Sequence, residues 1–270
     1  MKHLHRLLKL ILITFVFLFS TTNCYFNPLV NDLLNPKVEE SDLSALLGLA
    51  GGSGDLGITV SITGQIKRLG VALEGVEIKL ANSSFSTKNQ TNSSITNAAG
   101  RFYLNIPTGS PTLQFSDAGT IVNVQLGITP FSATVISSDN LGYQIQSLDV
   151  FFIGVEPPVY LELVSSVPYE GLLIDDSNYN NLIGGSFKFK FSEDLEYPSN
   201  PPLWVAENFI TYPPMTFESP SISKNDVTIM LSSSLSPLPY TITLNSGIKT
   251  ATGKSVRPTT IQFVVGPLGL

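Results

Sequence analysis

Phe187-Lys188-Phe189-Lys190-Phe191 (FKFKF) reads as one amphipathic β-strand, three phenyl rings on one face and two ammonium groups on the other. A helix would scatter these residues around its axis, whereas a period of two sorts them cleanly. The same period recurs on both sides of the stretch. C-terminal to it come Val227, Ile229 and Leu231, then Tyr240, Ile242 and Leu244, then Ile261, Phe263 and Val265. N-terminal to it, Ile58, Val60 and Ile62 alternate with Thr59, Ser61 and Thr63 and end at Gly64. Val76, Ile78 and Leu80 follow, then Phe102, Leu104 and Ile106, Leu113 and Phe115, and Val122, Val124 and Leu126. Each run is short and bounded by Gly, Pro, Asn or Asp, as strands of a sandwich are. Apolar-in, polar-out alternation predicts antiparallel sheets with one face on a core and the other in water. The expected fold class is therefore all-β, as two tandem antiparallel β-sandwiches.

Glu156-Pro157-Pro158 interrupts the pattern, and consecutive prolines stiffen the chain into an extended spacer. This sets the expected domains at 58–154 and 159–266, each near the hundred residues typical of a sandwich. Within the second, Ile183–Gly185 and Pro198–Pro214 show no period and are expected to be irregular.

The N-terminus is organised differently. Lys2, Arg6 and Lys9 precede the apolar run Leu10–Phe19, broken only by Thr14, and Ser20-Thr21-Thr22-Asn23 leads to Cys24, the single cysteine of the chain. Charged, then apolar, then small is the layout of a secretory signal, here 1–23. Ten apolar residues make a helix of about 15 Å, about half a hydrocarbon core, too short for a permanent span. A lone cysteine at the cleavage position resembles a bacterial lipoprotein signal, in which that thiol is acylated. Thr21, Thr22 and Asn23 depart from the usual Leu-(Ala/Ser)-(Gly/Ala), but spirochaete-type signals accept such residues, and Tyr25-Phe26-Asn27-Pro28 is similar to that group. An ordinary signal would instead leave Cys24 as a free secreted thiol. Residues 24–57 read as a tether, with turn formers Asn27-Pro28 and Asn35-Pro36 and the linker Gly51-Gly52-Ser53-Gly54. Glu39–Ala50 could form a short helix, either a docking element or a marginal spacer.

Charge and histidine content narrow the function. The chain holds 15 basic and 21 acidic residues; without Lys2, Arg6 and Lys9 it holds 12 and 21, a net charge of −9. Nucleic acid and anionic headgroups are not expected partners for such a surface. Both histidines, His3 and His5, lie in the signal, so the exported part has no imidazole, and acylation would consume its only thiol. Ser-His-Asp, Cys-His and His- or Cys-metal chemistry are excluded together. No enzyme and no cofactor is expected.

Two family resemblances follow from the strand motifs. Ile62-Thr63-Gly64-Gln65-Ile66, Leu73-Glu74-Gly75-Val76-Glu77-Ile78, Thr96-Asn97-Ala98-Ala99-Gly100-Arg101-Phe102 and Ile106-Pro107-Thr108-Gly109 resemble the carboxypeptidase regulatory-like domain. That resemblance implies a seven-stranded, transthyretin-like sandwich and an accessory module without an active site. Asn97 and Gly100 are expected to supply a turn and Phe102 to plug the core, while Asn82–Ser94 lengthens one hairpin. Phe187–Leu195, Leu235–Leu244 and Gly247–Lys254 are similar to a bacterial Ig-like domain, which implies a spacer or adhesive module.

Candidate sites are few. Ser221-Ile222-Ser223-Lys224 and Ser138-Asp139-Asn140 match fragments of the penicillin-recognising motifs, but in reversed order and without K-T-G, so they are set aside. Asp175, Asp176, Glu193, Asp194 and Glu196 are weak Ca²⁺ candidates if they meet at one end of the second sandwich; otherwise they form a solvated face. Asp175–Asn181 fails the EF-hand pattern, because Asn180 stands where glycine belongs. A carboxylate pair for glycoside hydrolysis is possible from residue types alone. Glu196–Phe217 carries Tyr197, Trp204, Phe209 and Tyr212 among prolines, a candidate glycan or protein contact patch, although such aromatics more often close the end of a sandwich. The sequons at Asn82, Asn89 and Asn92 mean little in a bacterium. The sequence thus predicts a non-enzymatic lipoprotein anchored through Cys24 to the cell envelope, with the outer membrane expected. It would present its sandwiches to a protein or glycan partner as an adhesin or surface receptor. A structural subunit of a periplasm-facing envelope complex and a carboxylate-dependent hydrolase are the alternatives.

Overall fold

The computed structural model describes residues 58–81 and 93–268. The signal 1–23, Cys24, the tether 24–57 with its expected helix, and the sequons at Asn82, Asn89 and Asn92 lie outside the described residues.

The first half comprises β1 (Thr59–Arg68), β2 (Val71–Ala72), β3 (Glu77–Leu80), β4 (Ser93–Ile95), β5 (Arg101–Pro107), β6 (Thr112–Asp117), β7 (Thr120–Ile128), β8 (Ala133–Ser138) and β9 (Tyr143–Phe151). Strand β1 pairs with both β5 and β9, and β4-β3-β6-β7-β8 form a second sheet. Val60, Ile62, Ile66, Phe102, Leu104 and Ile106 of the first sheet share a core with Ile78, Leu113, Phe115, Val122 and Val124 of the second. The turn before β5 is built as its residues dictate. The Asn97 Oδ1 accepts from the Ala99 and Arg101 N–H groups at 3.0 and 2.9 Å, and Gly100 takes φ +70°. Phe102 is fully buried.

Strand β1 does not end at Gly64 but runs on to Arg68. Gly64 is the slot for a neighbour: a Cβ there would sit 2.7 Å from the Phe102 ring and 2.8 Å from the Leu148 side chain. The turn into β2 follows at Leu69 and Gly70, both at positive φ (49° and 78°), the geometry of a type I′ hairpin.

The second half comprises β10 (Leu163–Val167), β11 (Leu172–Ile174), a π-helical turn at Tyr179–Ile183, β12 (Ser186–Phe191), α1 (Pro201–Asn208), β13 (Phe209–Tyr212), β14 (Ser221–Ser223), β15 (Asp226–Met230), β16 (Pro239–Leu244) and β17 (Thr259–Val265). The run FKFKF is β12, with its three Phe side chains buried and both Lys exposed. Each phenyl ring so buried contributes about 1.5–3 kcal/mol. Phe187 meets Phe263 of the opposing sheet edge-on at 5.7 Å, and Phe189 meets Phe209 at 5.0 Å.

Three expectations change. Between strands the pairing is antiparallel except for β11 and β17, which run parallel with Leu172 opposite Phe263, and the isolated bridge Leu161–Val256 is parallel too; the intervening strands of this half supply the long crossover that parallel neighbours need. Pro198–Pro214 is not irregular, since it holds α1 and β13. Asn200 caps that helix, its Oδ1 accepting from the Leu203 N–H at 3.3 Å, with proline in the first turn where a missing N–H costs nothing. Nor does Pro157-Pro158 hold two separate bodies apart. Ser165 of β10 pairs with Val71 of β2, so strands of both halves share one eight-stranded sheet. The described residues form one compact unit with two cores.

Candidate functional site

The aromatic patch divides. Phe209 is only 2% exposed and belongs to the core, with the Trp204 ring against it at 5.4 Å. Helix α1 turns these two residues inward: its last turn leads directly into β13, which starts at Phe209 and pairs with β16. Tyr197 and Tyr212 stay outside, 67% and 74% exposed. Tyr212 borders a cleft of about 390 Å³ together with Glu170, Tyr240 and Phe263. Phe209 is therefore corrected from a contact residue to a core residue, and Trp204 to a half-buried support of it.

The acids do not assemble. Among the described residues, no group of three or more His, Cys, Asp or Glu side chains is placed to hold a metal ion. Asp175 closes its own turn, accepting from the Ser177 hydroxyl and N–H, and the Ser177 hydroxyl holds its carboxyl below the usual carboxylate range. Glu193 pairs with Lys254 across the adjacent corner. Asp176 and Asp194 are exposed. The set Asp175, Asp176, Glu193 and Asp194 thus offers no converging oxygen ligands of the kind Ca²⁺ requires. Ser221 opens the strand β14 rather than a helix, which removes the S-x-x-K geometry as well.

A cluster that the sequence did not single out lies where the halves meet. Thr63, Gln65 and Lys67 share the face of β1 opposite the Ile62 and Ile66 face, and all three are buried. That face was expected to be wet; the second half covers it. The Gln65 amide donates to the Ala99 carbonyl at 2.7 Å and, across the junction, to the Leu163 carbonyl at 2.9 Å. Arg101, equally buried, grips Glu162 through Nε and Nη2 at 2.8 and 3.0 Å and donates Nη1 to the Ser147 carbonyl at 2.9 Å. A bidentate guanidinium–carboxylate pair of this kind fixes orientation as well as distance. Arg257 adds an ion pair to Asp149 and lies over the Tyr160 ring, 4.3 Å from its centroid. Burial pushes the Lys67 amine down to about 8, against the pull of Glu162. This is a structural joint, since Arg101 and Arg257 are each engaged with a carboxylate of the other half of the chain.

No protein-family model matches this chain, and no curated protein is similar enough to it to count as a relative. What defines it is the fold: a mostly-β chain of several antiparallel sheets without a closed barrel. Among the described residues no helix is long and apolar enough to cross a membrane.

Proposed function

We propose that this chain is an exported bacterial lipoprotein, anchored through Cys24, that presents its β-sandwich unit to a protein or glycan partner and performs no catalysis. The observation that carries the reading is the order of the N-terminal residues: Lys2, Arg6 and Lys9, then Leu10–Phe19, then Cys24 as the one cysteine. The outer membrane is the envelope layer assigned to it. The carboxypeptidase regulatory-like and Ig-like resemblances belong to the same reading, as rigid accessory modules.

A second reading, a structural subunit of a periplasm-facing complex, is favoured by the joint itself. A shared sheet with a buried Arg101–Glu162 pair makes one stiff body, which suits a scaffold as well as a receptor. Protease treatment of intact cells separates the two. Digestion of the β-unit before lysis is expected for the surface receptor; protection until lysis overturns it and favours the envelope subunit. The intact mass of the membrane-extracted protein tests the anchor, with an acylated Cys24 expected at the N-terminus and any other N-terminus overturning it.

A further inference from the structure

Three short segments close one end of the first sandwich: the β5–β6 connection, the β7–β8 loop and the turn after β9. Gly109 and Ile128 exchange backbone hydrogen bonds of 2.8 Å, joining the first two. The Phe131 ring meets Phe152 edge-on at 6.4 Å, joining the second and third. The chain enters the described fold at this same end. The Ile58 carbonyl accepts from the Thr108 N–H at 2.8 Å, and Ser61 pairs with Phe151.

What this end shows to solvent is apolar. Phe131 is 77% and Phe152 52% exposed, and Ile153 and Val155 stand exposed beside them. These side chains are held on built turns. The Val155 N–H donates to the Phe152 carbonyl with Gly154 at φ +90°, and the Thr129 hydroxyl accepts from the Ser132 N–H at 2.9 Å. In a chain with 36 charged residues, counting the 15 basic and 21 acidic ones, Glu156 is the one charge within 107–112, 128–133 and 151–159. Asp149 lines the cleft beside Phe131 but is paired with Arg257, so among the described residues this end carries little net charge either to attract anionic groups or to repel a lipid surface.

We propose that this end is a bilayer-contact tip, with Phe131, Phe152, Ile153 and Val155 entering the headgroup–acyl boundary of a zwitterionic lipid surface. The proposal rests on the lipid-anchor reading above, which brings the unit to a membrane. Two observations select lipid over a protein partner. The 33 residues between Cys24 and Ile58 join the fold at this end, so the tether to the lipid anchor is attached beside the apolar side chains. The exposed set is also short, apolar and nearly uncharged, the chemistry that settles at the acyl boundary without electrostatic help.

The test places a single indole at the tip of the full-length protein. Trp204→Phe with Phe131→Trp reports the tip, and Trp204→Phe with Tyr197→Trp reports an exposed site on the second half. Each protein, extracted from the envelope of an expressing bacterium, is mixed with vesicles of brominated phosphatidylcholine, and its N-terminal mass is measured on the same sample. The tip indole is expected to be quenched at least about twofold more than the Tyr197 site, with a blue shift in emission. Equal quenching at the two sites in an acylated chain overturns the tip and leaves the anchor. Strong tip quenching in a chain without the acyl group overturns the anchor and leaves the tip. A chain neither acylated nor quenched overturns both. Shielding of the tip indole from acrylamide that grows with protein concentration in lipid-free detergent assigns this face to a second copy of the chain and overturns the lipid proposal.

Discussion

The two ends of β1 invert each other. At its Arg68 end, where the halves join, polar and charged side chains are inside: Gln65, Lys67 and Arg101 are buried. At its Thr59 end, apolar side chains are outside: Phe131 and Phe152 stand in solvent. Burial of Gln65 and Arg101 at the joint is tolerable because each is satisfied, Gln65 by two carbonyls and Arg101 by a carboxylate and a carbonyl, whereas the Thr63 hydroxyl and the Arg257 Nε are buried without a hydrogen-bond partner. Exposure of phenyl rings at the other end has no such compensation within the unit. The difference teaches that the joint matches its main polar groups across the two halves, whereas the phenyl rings of the tip stay uncovered among the described residues.

The largest way to break this contrast is at the ion pair. Arg101→Met leaves the Glu162 carboxylate half-enclosed and unpaired, and is expected to cost about 3–5 kcal/mol in urea unfolding. Adding Glu162→Leu should return much of that loss, since the joint then holds no stranded charge. Recovery by the double variant is the decisive reading. If Arg101→Met alone costs under about 1 kcal/mol, the pair behaves as an exposed one and the buried joint is refuted.

Lys67 sharpens the same side through pH. Its amine titrates near 8 in the folded protein against 10.5 when exposed, so between those values the unfolded chain holds a proton the folded one has lost. Stability therefore rises with pH across that window, by about 3 kcal/mol in total, and is flat with respect to this group below it. In Lys67→Met the rise should vanish and stability at pH 7 should increase, because no desolvated charge remains. Equal slopes for the two proteins above pH 8 would show that Lys67 is solvated.

A smaller effect is expected at the backbone of the joint. Gly70 stands at φ +78° with its absent Cβ 2.3 Å from that of Tyr169, so Gly70→Ala should cost about 1–3 kcal/mol from strain and displacement of the second half. The least is expected at the tip, where Phe131→Ser should leave unfolding unchanged within about 0.5 kcal/mol. A large loss there would mean that Phe131 supports the fold and is no free surface.

Much of the fold was legible because its strands obey a period of two. FKFKF, the Val60–Ile62 run and the Asn97–Gly100 turn each carry their own conformation in adjacent residues. The second covering of β1 was not legible, because Thr63, Gln65 and Lys67 are ordinary outward-facing residues until another half of the chain lies on them. Gly64 misled for a related reason: its small size serves the ring of Phe102, many residues away, and not a turn. At the candidate patch the helix signal was present but unused, since Asn200 before Pro201 and Pro202 is a cap followed by first-turn prolines. Reading it would have pointed Trp204 and Phe209 toward the core. The acids could not be placed from spacing, because Lys254 reaches Glu193 from a distant loop.

The position of β1 has a mechanical consequence. It is threaded between β5 and β9, partnered with Pro107 through Arg101 on one side and Phe151 through Tyr143 on the other. A pull on Ile58 along the strand axis therefore loads both ladders in shear, so that many hydrogen bonds must slip together before any is lost. Peeling from an edge would release them one at a time. Forced unfolding is set by the height of the first barrier, and this placement raises that barrier at the residue where tension from the N-terminal segment enters the fold.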